Sequence, residues 1–326
     1  MDTILVTGAT GFLGYHVTKA LNAAGIRPRV LELRSGDTAI LDRLDVTRCA
    51  GILDDDSAIK AACEGADTLL HLAFKVGVGG ADVEEMRRVN IEGTDRLLRT
   101  AAESGVRRAV AAGSALAVGV NRQPIPLDES AGAEHAFDLP YAAIRLQVEK
   151  QALALSTPAF AVVSVCPSFT FGPDDPTGAP ANGLLKSIVT RKLPITLDVG
   201  FGCLDVRDFA DGMIRAASRG RAGERYILSG ENVTAGQLLA IAAELSGVRP
   251  PWFQPPRPLL HLLVGVLQIV GRIRGKPAPL TRDVLNIIGR FAWYDSSKAR
   301  TELGWTPRPL RDTLRDTIEW LRSQGA

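Results

Sequence analysis

Apolar and polar positions in the first half of the chain follow two alternating periods. Short aliphatic runs at Ile4-Leu5-Val6-Thr7, Arg29 to Leu33, Thr68 to His71 and Arg108 to Ala112 read as strands. Helical spacing occupies the stretches between them, from about Phe12 to Ala24, after Asp55, and from about Asp82 to Ser104. This rhythm predicts an α/β fold, a doubly wound parallel sheet with helices on both faces. Sites in such a sheet belong at the carboxyl ends of the strands.

After Pro167 the rhythm changes. Gly172-Pro173-Asp174-Asp175-Pro176-Thr177-Gly178 is dense in turn formers, and a second Pro-rich stretch runs from Pro250 to Pro258. Helical patterns near Asp208 to Arg219, Thr234 to Ser246, Pro258 to Val270 and Leu310 to Leu321 predict a smaller, mostly α lobe. The expected division is residues 1–167, with returning segments near 200–229, and residues 168–326.

Composition narrows the function classes. The 38 basic and 36 acidic side chains nearly cancel, leaving a formal charge of +2, so no nucleic-acid partner is expected. Cys49, Cys63, Cys166 and Cys203 are widely spaced and form no CxxC pair, so neither a metal site nor a disulfide framework is suggested. The first strand begins within three residues of Met1 with no basic-then-apolar leader, which points to a cytoplasmic protein. The apolar run Pro258 to Val270 is interrupted by His261, Gly265 and Gln268 and falls short of the roughly 20 residues of a membrane span.

The first strand runs directly into Gly8-Ala9-Thr10-Gly11-Phe12-Leu13-Gly14 and then a helix. Glycines at 8, 11 and 14 suit, in turn, a tight turn, close approach of backbone to a pyrophosphate, and packing of helix on strand, with the anion at a helix N-terminus. Residues 1–167 are therefore expected to bind a dinucleotide, with Gly8, Thr10, Gly11, Phe12, Leu13 and Gly14 in the cradle.

With this fingerprint the chain resembles the extended short-chain dehydrogenase/reductases of the NAD-dependent epimerase/dehydratase superfamily. It is most similar to the dihydroflavonol-reductase-like and 3β-hydroxysteroid-dehydrogenase-like members. His71-Leu72-Ala73, Val89-Asn90-Ile91-Glu92-Gly93-Thr94, Phe171-Gly172-Pro173, Asp205-Val206-Arg207-Asp208 and Ser297 to Trp305 match further landmarks in the same order. The resemblance implies a Rossmann domain, with Leu53, Ala73 and Pro167 also near the cofactor. It is compatible with a homodimer built on helices near 82–104 and 139–156.

Charge at the end of the second strand bears on which cofactor is bound. Arg34 stands at the strand end and favours the 2′-phosphate of NADP; the alternative is that Glu32 meets the ribose of NAD and Arg34 is a solvated loop cation. Where relatives carry Gly-Asp-Leu-x-Asp to contact adenine, this chain reads Gly51-Ile52-Leu53-Asp54-Asp55, so only backbone at Leu53 or the Asp54 side chain could serve. The alternative for Asp54-Asp55-Asp56-Ser57 is a helix N-terminal cap cluster.

Reducing a carbonyl with a nicotinamide needs an acid for the developing alkoxide, and a phenol beside a fixed cation suits that task. The family uses a Ser or Thr, a Tyr, and a Lys four residues after the Tyr. By resemblance, Ser114 is the oxyanion donor, Tyr141 the acid/base, and Arg145 occupies the lysine position. Spacing of four places Arg145 one turn along the helix from Tyr141. Arginine keeps the charge and can fork onto ribose hydroxyls, but it cannot relay a proton by losing one. The other reading of Arg145 is a surface pairing with Glu149.

Together these residues predict an NADP(H)-dependent oxidoreductase that interconverts a ketone or aldehyde and an alcohol on a small, largely apolar substrate. One alternative is a nucleotide-sugar epimerase with tightly bound NAD. Another is a non-catalytic dinucleotide-binding regulator. Dehydration is disfavoured, because Ser114-Ala115-Leu116 stands where dehydratases have Thr-Asp-Glu.

Overall fold

The computed structural model describes residues 3–32, 38–76, 83–193, 195–251, 253–256, 259–260, 265 and 282–325. Arg34 and most of the helix expected over Pro258 to Val270 lie outside them.

Seven parallel strands form the central sheet in the order β3-β2-β1-β4-β5-β6-β9. They are β1 (Ile4–Thr7), β2 (Arg29–Glu32), β3 (Thr47–Ala50), β4 (Thr68–His71), β5 (Arg108–Ala112), β6 (Ala161–Pro167) and β9 (Arg225–Leu228). The order reverses at β1, which pairs with β2 on one side and β4 on the other. Ligand crevices form at such a reversal.

Alternate side chains of each strand serve opposite faces. Ile4, Val6, Val30, Leu70, Val110 and Val163 pack under α1 (Phe12–Ala23) and α8 (Val206–Arg219). Leu5, Leu31, Leu69, Ala109 and Val162 pack under α2 (Asp56–Cys63), α4 (Gly93–Glu103) and α6 (Pro140–Ala154). Runs apolar at every position are what a strand covered on both faces requires.

The single helix expected over Asp82 to Ser104 is divided. A short α3 (Val83–Arg87) passes through a π-helical turn, Arg88–Glu92, into α4. One extra residue in that turn carries buried Asn90 toward the site.

The second lobe is mostly helical. Its core is formed by α7 (Pro180–Val189), α9 (Ala235–Ser246) and α11 (Leu310–Ser323), the helix Arg282–Ile287 being α10. A small sheet joins them, with β8 (Val199–Asp205) between β10 (Asn232–Thr234) and β11 (Arg290–Ala292), and β7 (Phe169–Phe171) also paired to β8. Between residues 200 and 229, β8 thus enters the small sheet while β9 enters the large one.

Two late motifs tie the lobes together. Asp208 accepts from Arg308 at backbone N (2.7 Å) and Nε (2.9 Å), and buried Trp305 donates Nε1–H to the Asp208 carbonyl at 2.8 Å. Lys298 reaches Glu224 at 2.7 Å. Among the described residues no helix is long and apolar enough to cross a membrane.

Candidate active site

At the end of β1, Gly8 takes φ +76°, a left-handed conformation that costs glycine little. A Cβ on Gly8 would lie 2.5 Å from the Leu72 carbonyl, so the loop crosses against the end of β4 and Ala73. A Cβ on Gly14 would lie 2.0 Å from the Gly8 carbonyl oxygen, whereas one on Gly11 would meet that oxygen at 3.3 Å. Gly8 and Gly14 therefore satisfy the protein's own packing, while Gly11 leaves room at the surface.

Helix α1 begins at Gly11 with no side-chain cap and no acid in its first turn. Its first N–H groups and the positive end of its dipole remain free for an anion. Phe12 turns inward, edge-on to His16 at 5.5 Å, and Leu13 packs against the core; both offer the loop only backbone. These features fit a dinucleotide pyrophosphate.

Asp55 caps α2, accepting from Ala58 N at 3.1 Å and from Ser57 Oγ at 2.6 Å, and Asp54 pairs with Arg88. The acidic run thus works as a cap and an ion pair. Leu53 packs near Gly93, and Ile52 is exposed.

The end of β4 is pinned by polar contacts. Buried His71 bridges Thr7 Oγ1 (Nδ1, 2.7 Å) and Thr94 Oγ1 (Nε2, 2.9 Å). Asn90 brackets the Lys75 backbone, accepting from its N–H at 2.7 Å and donating to its carbonyl at 2.8 Å. Burial pushes the His71 pKa down to about 3, with the Arg145 charge acting in the same direction. The unfolded imidazole takes up a proton near pH 6.5 and the folded one only near 3, so stability from this group is complete above 6.5 and falls with pH through that window. The slope approaches about 1.4 kcal/mol per pH unit. Urea unfolding of wild type and His71→Gln between about pH 6.5 and 4.5 should show a shallower decline in the variant; parallel slopes would remove His71 from this role.

Of the three residues matched to the catalytic positions, Ser114 and Arg145 meet at the end of β5, and Tyr141 lies one turn from Arg145 on α6. Ser114, 7% exposed, precedes α5 (Ala115–Val118), and its hydroxyl makes no hydrogen bond among the described residues. It therefore does not serve to satisfy backbone at the strand end. Tyr141 lies in the first turn of α6, which Pro140 initiates, and its ring packs beside Met86, Ile91, Ile144 and Val148. The phenol makes no hydrogen bond among the described residues.

Arg145 is 3% exposed, so the surface pairing with Glu149 is not realised. Its Nη2 donates to the carbonyls of Ala112 and Gly113 (2.7 Å), and its plane lies over Phe74 at 3.6 Å. Nε and Nη1 are buried without partners, two donors aimed at nothing the described protein supplies. Glu149 is buried as well, accepting from Ser164 Oγ at 2.6 Å and Cys166 Sγ at 3.0 Å, with Arg225 at 3.5 Å.

Sequence reading missed Phe74, Asn90 and Ser168, and gave Glu149 only a surface pairing where it is buried. Ser168 follows Pro167 at the end of β6, and its Oγ is buried and unpartnered. Only Asn90 stood in a motif, because the others act through tertiary neighbours.

A parallel sheet with a glycine cradle at its reversal defines a protein of the Rossmann class. The chain belongs to the NAD dependent epimerase/dehydratase family, whose pattern matches residues 4–229. It is 31% identical to the sterol demethylase protein B of Methylococcus capsulatus, covering 99% of both chains. It is 30% identical to a 4-hydroxy-2-methyl-3-oxo-4-farnesyl-3,4-dihydroquinoline-1-oxide ketoreductase of Stigmatella aurantiaca, covering 98% of this chain and 96% of that one. The solved structure of gox2253 superimposes with a TM-score of 0.87 at 31% identity, covering 100% of this chain and 99% of that one.

Proposed function

We propose that the protein is an NADP(H)-dependent oxidoreductase that interconverts a ketone or aldehyde and an alcohol on a small, largely apolar substrate. The observation that carries this reading is that, among the described residues, the hydroxyls of Ser114 and Tyr141 and the Nε and Nη1 of Arg145 have no hydrogen-bond partner. Kinship with a ketoreductase supports it.

When bound, the dinucleotide supplies or accepts hydride at the substrate carbon. Tyr141 donates its phenolic proton to the carbonyl oxygen as that oxygen gains charge, and Ser114 donates a hydrogen bond to the same atom. Arg145 places a positive charge one helical turn along α6 from the phenol. Its Nη2 is committed to two carbonyls, so Nε and Nη1 are the atoms left for ribose hydroxyls. Arginine does not deprotonate here, so the proton returns to half-buried Tyr141 from solvent.

Selection of NADP(H) rests on Arg34. A specific observation favours NAD as a second reading: Glu32 ends β2 with a buried Oε2 that lacks a hydrogen-bond partner, Arg48 lying 3.9 Å away. Titration with NADPH and NADH decides between them. With NADP, Arg34→Ala weakens NADPH by about tenfold or more and leaves NADH alone; with NAD, Glu32→Ala weakens NADH instead. Reduction of a panel of apolar ketones tests the reaction. A parent without turnover that gains it on Arg145→Lys would favour the non-catalytic regulator.

A further inference from the structure

A cavity of about 540 Å³ opens beside the segment that leads into α6. Phe137, Leu285 and Ile288 give it apolar wall, and Arg122, Arg290 and Asp138 give it charge. Asp138 stands three residues before Tyr141, a chain distance of at most about 11 Å between Cα atoms.

Arg122 and Arg290 flank an isolated backbone bridge beside the cavity. Asn121 and Phe291 form an antiparallel pair, exchanging backbone hydrogen bonds of 2.9 and 2.8 Å. The next residues outward on the two chains are Arg122 and Arg290. Arg122 opens the bend that follows this bridge, while Arg290 begins β11. Both line the same cavity, so both face one side.

Neither arginine has an ion pair or hydrogen bond among the described residues, and Asp138 lies beyond ion-pair distance of both. Two arginines lining one cavity that also has an apolar wall form a receptor for an anion attached to a hydrocarbon body.

We propose that Arg122 and Arg290 together anchor a carboxylate carried by the substrate, so that the enzyme acts on apolar oxo acids. This rests on the reductase reading for the ketone, but the anchoring site itself is read by binding alone.

The test is calorimetry on the full-length, dinucleotide-loaded protein with octanoate and 1-octanol as probes. Octanoate should bind at least about tenfold more tightly than octanol. Arg122→Gln and Arg290→Gln should each weaken octanoate about tenfold while leaving octanol and dinucleotide affinities unchanged. Raising sodium chloride from about 0.05 to about 0.5 M should weaken octanoate alone. Arg122 is exposed, so its variant does not threaten folding. Equal affinity for acid and alcohol, or parallel losses for both in the variants, overturns the proposal.

A second arm compares turnover of 3-oxooctanoate with its methyl ester. If octanoate binds as described but neither ketone is reduced, the anchoring site stands and the reductase reading falls. If acid and ester are reduced equally and neither variant discriminates, the reductase reading stands and the anchoring site falls.

Discussion

Replacing Tyr141 by phenylalanine is expected to lower kcat by about 10³-fold while changing dinucleotide affinity by less than about twofold. The substitution deletes one hydroxyl that makes no hydrogen bond to the described protein, so folding loses nothing through it. The ring keeps its packing against Met86, Ile91, Ile144 and Val148. What disappears is the proton donor to the developing alkoxide, and Ser114 can steady that oxygen without replacing the proton source. Stopped-flow hydride transfer on a reduced ketone, paired with fluorescence titration of the dinucleotide, reads both quantities. A variant with undiminished turnover would remove Tyr141 from the chemistry.

The second large effect is expected at Gly14. An alanine methyl there would sit 2.0 Å from the Gly8 carbonyl oxygen and 2.6 Å from its carbon, both backbone atoms that no rotamer change can move. Relief requires α1 to shift by more than about 1 Å against the turn, and overpacking of this kind costs about 1–3 kcal/mol or more. The same shift carries the N–H groups of α1 out of position, so dinucleotide affinity should fall by at least about 100-fold. Gly11→Ala is the internal comparison. Its methyl meets only the Gly8 oxygen at 3.3 Å, so stability should fall by less than about 1 kcal/mol while binding still suffers from the methyl at the cradle surface. Urea denaturation and dinucleotide titration of the two variants separate these contributions. Wild-type stability and binding in Gly14→Ala would show that the cradle is built otherwise.

The charge network around Arg145 explains why this position resists analysis from spacing alone. The i, i+4 relation to Tyr141 and Glu149 predicts a shared helix face, and it holds in the structure. Which face is buried depends on β5 and β6, which are distant in sequence. The carbonyls of Ala112 and Gly113, the ring of Phe74 and the hydroxyl of Ser164 reach the helix only after the sheet assembles. A surface pair and a buried cation therefore share one sequence pattern. The same holds for the acidic run at Asp54 to Ser57: a cap and an adenine contact both call for a short acidic side chain, and only the Asp55 bond to Ala58 N distinguishes them.

The sequence by itself determined the doubly wound sheet, the glycine cradle and the one-turn spacing of Tyr141 and Arg145, while the roles of Ser114, Tyr141 and Arg145 came from the family resemblance. The first three rest on short-range rules: apolar periodicity, backbone freedom at glycine, and helix spacing of four. Tertiary structure alone decided that Arg145 is desolvated with two donors unspent, that β8 pairs in the small sheet, and that Arg122 and Arg290 line one cavity. Those outcomes depend on register between segments separated by tens to hundreds of residues. Register is set by the burial of whole faces, which no local pattern records.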